Sequence, residues 1–271
     1  MKVFCILSDE RVKVSKSPTM FSRVFQRIGM QGVYVPFKVE PENLGRALQS
    51  LKVLNIAGAN VTVPYKEKVI PFLDILSEGA NIIGAINTIV CNGGTLKGYN
   101  TNAIGFMDAL TEAGFEVAGK SALVFGTGGA AKAVVFMLNW LRAATIRVAG
   151  RSPGKTASIA ERFEVEGCSI DELGDRPVAA DIVVNATSVS SPQEAPELEA
   201  SIQKLQVPGC QLVLDLNYGR SQNFWQDMAR HKGIRFMDGL PALAFQARRT
   251  LALWTRVQVD PVEFLNALKE T

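Results

Sequence analysis

One stretch constrains the fold of this chain more than any other. The apolar run Ser121–Phe125 leads directly into Gly126-Thr127-Gly128-Gly129-Ala130-Ala131, and Ala130–Leu141 continues as a helix-forming segment. A strand, a turn of small residues and a helix form a βα unit. Its glycines let backbone amides approach a pyrophosphate at the positive end of the helix. Gly126, Gly128, Gly129 and Ala130 are therefore expected to seat a dinucleotide. Strand patterns recur at Thr145–Ala149, Ala180–Asn185 and Gln211–Leu216, with a helical pattern over Lys155–Phe163. Such alternation predicts a parallel sheet with helices on both faces.

The upstream part alternates as well. Val3–Ser8 reads as a strand. Ser17 caps a helix that has Pro18 at its first position and Gly29 after its end. Gly32–Val39 and Ile56–Val63 read as strands, Pro41–Leu51 as a helix, and Pro64 as the opening of another. Asn92-Gly93-Gly94 joins Ala85–Cys91 to Thr95–Tyr99 as a hairpin. Phe106–Ala113 is expected to be a helix closed by Gly114. Helical patterns return over Pro241–Trp254 and Pro261–Leu268. The expected class is α/β with two domains. A domain boundary is expected near Asn102–Gly105 and a second crossing near Gly239, and on the pattern alone the C-terminal helices fit either half.

The end of the Thr145–Ala149 strand indicates which dinucleotide is bound. A carboxylate about twenty residues past the glycines would hold a ribose 2′-hydroxyl. This chain instead has Arg151 and Ser152, with Lys155 one turn on. Positive charge and a hydroxyl suit a 2′-phosphate, and so NADP. Asn185-Ala186-Thr187-Ser188 follows another strand, where a loop would border the nicotinamide half.

Composition excludes other classes. Among 271 residues, hydrophobic types make up 47% and the net charge is +3, with no run of like charges. Neither nucleic acid nor an anionic membrane is an expected partner. The four cysteines are scattered and His231 is the single histidine, so no metal set is expected and no serine–histidine hydrolase. The first residues become charged too early for a signal peptide, and no apolar run has membrane-spanning length. The expected location is cytoplasmic.

Two polar segments lie upstream of the glycine loop: Asn60-Val-Thr-Val-Pro-Tyr-Lys66 and Gly98-Tyr-Asn-Thr-Asn-Ala-Ile-Gly105. They offer a lysine, threonines and amides to a small hydroxylated molecule, and beside a dinucleotide seat they suggest an oxidoreductase. A lysine in an enclosed pocket can exchange protons with a hydroxyl or a ketone.

These residues resemble the shikimate dehydrogenase family, which includes quinate/shikimate enzymes. The match runs through Ser15-Lys-Ser-Pro18, the Asn60–Lys66 segment, Gly84-Ala-x-Asn-Thr88, Gly98-x-Asn-Thr101 with Gly105, the glycine loop, Asn185–Ser188, and Gly239-Leu through Gln246-Ala247 to Leu253-Trp254-Thr255. The resemblance implies an N-terminal α/β substrate domain completed by the C-terminal helices, 1–101 plus 240–271, and a Rossmann-like NADP-binding domain, 102–239. It implies NADP-dependent interconversion of 3-dehydroshikimate and shikimate in aromatic amino-acid biosynthesis, by a monomer or homodimer. By position it assigns Ser15 and Ser17 to the substrate carboxylate, and Thr62, Asn87, Tyr218 and Gln246 to the substrate site. It makes Lys66 the catalytic lysine and places Gly239 near the nicotinamide.

The chain departs from the family at several points. The family's catalytic partner of the lysine is an aspartate, where this chain has Asn102. An amide can orient a substrate and the lysine, but it carries no charge and takes no proton. Asp9–Val14 replaces the usual Gly-x-Pro-Ile-x-His, Phe21 stands where histidine is frequent, and Ala242 where methionine is usual. The departures leave two alternatives: a paralogue acting on quinate or a related cyclic hydroxy-acid, and a nucleotide-binding protein that has lost catalysis.

Overall fold

The computed structural model describes residues 1–174 and 176–269. Glu270 and Thr271, at the end of the expected substrate domain, and Asp175, within the expected NADP domain, lie outside them. The chain forms two compact units, residues 1–105 with 243–271 and residues 106–242. The division differs from the sequence-based boundaries. Asn102–Gly105 group with the first unit and Leu240–Ala242 with the second. Hydrogen bonds explain the first shift. The Asn100 side chain donates to Ala85 O (2.9 Å) and accepts from the Ala103 amide (3.2 Å), tying this turn to the first unit's sheet.

The first unit is built on β1 (Lys2–Ser8), β2 (Gly32–Lys38), β3 (Gly58–Val61), β4 (Ile75–Leu76), β5 (Thr88–Asn92) and β6 (Thr95–Tyr99), in the order β2-β1-β3-β5-β6-β4. The sheet is mixed rather than parallel throughout. β1 runs parallel to β2 and β3, whereas β5 is antiparallel to β3 and, through a tight hairpin, to β6. Helices α1 (Ser17–Arg27), α2 (Leu44–Val53) and α3 (Glu78–Ile83) belong to this unit, as does the start of α4 (Asn102–Glu112).

Both faces of the sheet are apolar, as the alternating side chains of a doubly covered sheet require. On one face Cys5, Leu7, Ala59 and Val61 pack with Leu44, Leu48 and Leu51 of α2. On the other, Phe4 stacks on Trp254 (4.8 Å) and Phe21 on Tyr34 (4.6 Å), with Phe264 edge-on to Phe21. Phe21, at the position where the family often has histidine, is thus fully buried in an aromatic core. Gly58 makes room for this cluster, since a Cβ there would strike the Trp254 indole.

The helix expected from Pro64 does not form. Thr62–Val69 is a succession of turns. Lys66 O, which would accept from residue 70 in a helix, accepts from the Ile86 amide (2.7 Å), and the Tyr65 hydroxyl donates to Val39 O (2.6 Å). The first bond takes a carbonyl out of the helical ladder, and the second anchors the turn.

The second unit has β7 (Ser121–Phe125), β8 (Thr145–Gly150), β9 (Glu166–Ser169), β10 (Ile182–Asn185), β11 (Leu212–Asp215) and β12 (Arg235–Met237), all parallel, in the order β12-β11-β10-β7-β8-β9. Counting from β7, this is the 3-2-1-4-5-6 order of a Rossmann sheet. Helices α5 (Gly129–Trp140), α6 (Pro153–Phe163), α7 (Pro196–Lys204) and α8 (Phe224–His231) accompany it. The chain returns to the first unit along α9 (Leu240–Thr255) and ends with α10 (Pro261–Lys269). Among the described residues, no helix is long and apolar enough to cross a membrane.

Candidate active site

In the first unit, strand direction gathers the polar residues at one sheet edge. β1 and β3 run parallel, so the segments after them, with Ser15 and Ser17 and with Thr62 and Lys66, leave from the same edge. β5 runs the other way and starts there, which brings Asn87, and β6 ends there, which brings Thr101 and Asn102.

Asn87 is the hub. It is buried, and its Oδ1 accepts from the Thr101 amide at 2.6 Å. Its Nδ2 lies 2.8 Å from Thr101 Oγ1, 2.8 Å from Asn102 Oδ1 and 3.0 Å from Gln246 Oε1. Behind it, Thr88, Thr101 and Thr250 join hydroxyls within 2.9–3.1 Å of one another. Asn60 Nδ2 donates to Asn87 O and Thr88 Oγ1, and Tyr34 donates to Asn60 Oδ1. Satisfied buried polar networks of this kind are rigid. Of these residues, Asn87, Asn102 and Gln246 were expected at the site. The roles of Thr88, Thr250 and Tyr34 escaped sequence reasoning, because Thr88 and Tyr34 read as ordinary strand residues and Thr250 as an ordinary helix residue.

Lys66 stands on its turn, half-buried, with no hydrogen-bond or ion-pair partner for its ammonium among the described residues. Burial pushes it down to about 8, which poises it to exchange protons near neutrality. Thr62 is half-buried, and its amide donates to Leu7 O (3.2 Å). Ser15 and Ser17 mark the start of α1, where Ser15 Oγ accepts from the Ser17 amide (3.3 Å). Two hydroxyls at a helix N-terminus suit an anionic group. The preceding loop, Asp9–Val14, closes on itself. A short 3-10 helix spans Glu10–Val14, Asp9 pairs with Arg11, and Glu10 pairs with Lys13 and Lys38.

The second unit carries the residues expected to bind the cofactor. β7 lies between β8 and β10, so the strand order reverses at β7, the position where doubly wound sheets bind ligands. Gly126 has φ 116°, and a Cβ on it would lie 2.9 Å from the Ala186 carbonyl group, so glycine is required where the two loops meet. The first helical bond of α5 runs from Lys132 N to Gly128 O, which leaves the amides of Gly129, Ala130 and Ala131 outside the ladder and able to hold phosphate oxygens. Arg151, Ser152 and Lys155 are all exposed at the end of β8 and the start of α6, and neither cation is engaged in an ion pair among the described residues. This donor set fits the 2′-phosphate of NADP.

Asn185 behaves differently from expectation. Its Nδ2 is spent on Val189 O, Ser190 Oγ and Asp215 Oδ1, and its Oδ1 accepts from the amide and hydroxyl of Thr187. The side chain shapes the loop, in which Ala186 is buried, Thr187 half-buried and Ser188 exposed. Asp215 is fully buried, and burial raises its carboxyl despite bonds from Ser190, Asn217, Asn223 and Asn185. Tyr218 follows on the loop after β11, its carbonyl accepting from Arg220 (3.0 Å). Gly239 donates to Asn217 O (3.0 Å), and a Cβ there would collide with the Leu216 carbonyl.

Comparison with known proteins agrees with this architecture. Residues 7–89 match the model of the shikimate dehydrogenase substrate binding domain, and residues 109–231 that of shikimate / quinate 5-dehydrogenase. Shikimate dehydrogenase (NADP(+)) of Desulforamulus reducens is 40% identical over 260 residues, which cover 93% of this chain and 89% of that protein. The chain belongs to the shikimate dehydrogenase family. Among solved members, the shikimate dehydrogenase of Aquifex aeolicus superposes with a TM-score of 0.88 at 32% identity, covering 99% of this chain and 98% of the other. The shikimate 5-dehydrogenase of Thermus thermophilus, solved in complex with NADP(H) and shikimate, gives 0.87 at 31% identity, covering 100% and 99%.

Proposed function

We propose that the protein is an NADP-dependent dehydrogenase that interconverts 3-dehydroshikimate and shikimate. The observation that carries this reading is the pairing, in one family member, of an unpartnered lysine of lowered pKa with a rigid Asn87–Gln246 network in the first unit and a Rossmann seat edged by Arg151 and Lys155 in the second. NADP, when bound, supplies or accepts the hydride. Ser15 and Ser17 hold the substrate carboxylate, and Thr62, Asn87, Tyr218 and Gln246 hold ring hydroxyls. Lys66 donates a proton to the ketone oxygen in reduction and takes it from the hydroxyl in oxidation. Asn102 orients the reacting oxygen and Lys66 without moving a proton. Gly239 lets the nicotinamide end approach the backbone. The expected setting is the cytoplasm, with the enzyme a monomer or homodimer.

The protonation state of Lys66 sets a pH dependence. Oxidation needs the neutral amine, so its rate should climb as pH rises through about 8, whereas reduction needs the ammonium and should fall over the same range. Parallel pH–rate profiles for the two directions check this, and profiles that rise and fall together would count against Lys66 as the proton carrier.

Cofactor choice rests on the exposed cations. A charge-assisted bond contributes about 1.5–3 kcal/mol, so Arg151→Ala should weaken NADP binding roughly ten- to hundredfold and leave NAD binding nearly unchanged. Calorimetric titration with each dinucleotide tests the assignment. Equal affinity of the unmodified protein for NAD and NADP would overturn it.

A further inference from the structure

The polarity of the Asn87–Asn102 hydrogen bond has a consequence for which form of the substrate this site holds. The Thr101 amide can only donate, so the Asn87 atom 2.6 Å from it is the carbonyl oxygen. The Asn87 NH2 group therefore faces Thr101 Oγ1, Asn102 and Gln246. Gln246 is oriented independently, because its own Nε2 donates to Leu243 O (3.1 Å) and so turns Oε1 toward Asn87. A donor facing Asn102 admits only an acceptor in return, so Asn102 turns its Oδ1 toward Asn87 (2.8 Å) and its NH2 away. That NH2 has no partner among the described residues, and Asn102 is half-buried at the sheet edge that also carries Lys66.

We propose that Asn102 is a fixed hydrogen-bond donor, set by Asn87 as a positioning residue, and that the site consequently selects a ring ketone over the corresponding alcohol. The inference rests on the functional reading above, in which Lys66 and Asn102 meet the reacting oxygen. A ketone oxygen has two lone pairs and accepts from both groups. An alcohol oxygen accepts from both equally well, but its own O–H has left water and meets two donors. An unsatisfied buried donor carries the full desolvation penalty of that group. An aspartate at this position would remove the asymmetry, with one carboxylate oxygen accepting from Asn87 and the other from the substrate hydroxyl.

Calorimetric titration of the full chain, without dinucleotide and near neutral pH, with 3-dehydroshikimate and with shikimate separates the possibilities. The ketone should bind about tenfold tighter or more. Asn102→Asp, which supplies an acceptor, should reverse the order. The Asn102 side-chain amide protons, assigned in an NMR spectrum by their loss in Asn102→Asp, should shift on addition of the ketone. Equal binding of the two ligands, or tighter binding of the alcohol, by the unmodified protein overturns the donor assignment while leaving the functional reading in place. Binding of neither ligand overturns the functional reading, and the donor assignment with it.

Discussion

Lys66→Ala should lower kcat/KM for shikimate oxidation by about 10²–10⁴-fold, the usual contribution of a positioned acid–base group, and leave NADP affinity unchanged. The groups proposed to bind the dinucleotide's phosphates, the Gly126–Ala131 loop with Arg151, Ser152 and Lys155, lie in the other unit. Loss of the lysine should not unfold the protein. An ammonium whose pKa burial holds down to about 8 is a charge the fold accommodates at a cost, and removing it relieves that cost. The backbone role of residue 66, accepting from the Ile86 amide, survives any side chain. Steady-state kinetics paired with NADP calorimetry checks both halves. A modest rate loss, or a parallel loss of NADP binding, would show that the lysine does not handle the proton.

Asn102→Asp should act in the opposite direction. The amide already accepts from Asn87, so a carboxylate can replace it in that bond. It adds the negative charge and the proton acceptor that the amide lacks. Turnover of shikimate should rise at least about tenfold, equivalent to about 1.4 kcal/mol off the barrier. A neighbouring carboxylate favours a charged lysine, so the pH inflection of oxidation should move upward from about 8. Rate measurements across a pH series test both effects together. A rate unchanged or lowered, with circular dichroism intact, would mean that the pocket is adapted to the amide and to a different cyclic hydroxy-acid.

The first βα unit of the cofactor half was legible in the sequence nearly residue by residue. Ser121–Phe125 is both the expected and the observed strand, and α5 begins one residue before the expected Ala130. Glycine punctuation and continuous apolar strands encode such an element locally. Pro64 misled because local propensity cannot register that Lys66 O is claimed by Ile86 and the Tyr65 hydroxyl by Val39. The short strands β4, β9 and β12 and the helices α3, α7 and α8 passed unrecognised. Several are two to four residues long, and Gly167 within β9 weakens its strand signal. At the site, Ser15, Ser17, Thr62, Lys66, Asn87, Asn102 and Gln246 were read from motifs. What the motifs could not convey is the bonding between segments distant in the chain. Thr101 and Thr88 meet Thr250 across separations of 149 and 162 residues, and that distant threonine completes the hydroxyl cluster behind Asn87. Asn185 shows the same limit from the other side. Its place in a cofactor loop was readable, but not that five hydrogen bonds within the loop and to Asp215 consume its amide.

The most direct test of the account follows reduced-nicotinamide absorbance in the purified full chain, with NADPH and 3-dehydroshikimate in one direction and NADP with shikimate in the other. The account expects NADPH consumption with the ketone, slower NADPH formation with the alcohol, and both slowed about 10²–10⁴-fold in Lys66→Ala. NADP binding without any absorbance change in either direction would contradict it. Turnover confined to quinate or another hydroxy-acid would contradict the substrate assignment while leaving the dehydrogenase chemistry in place.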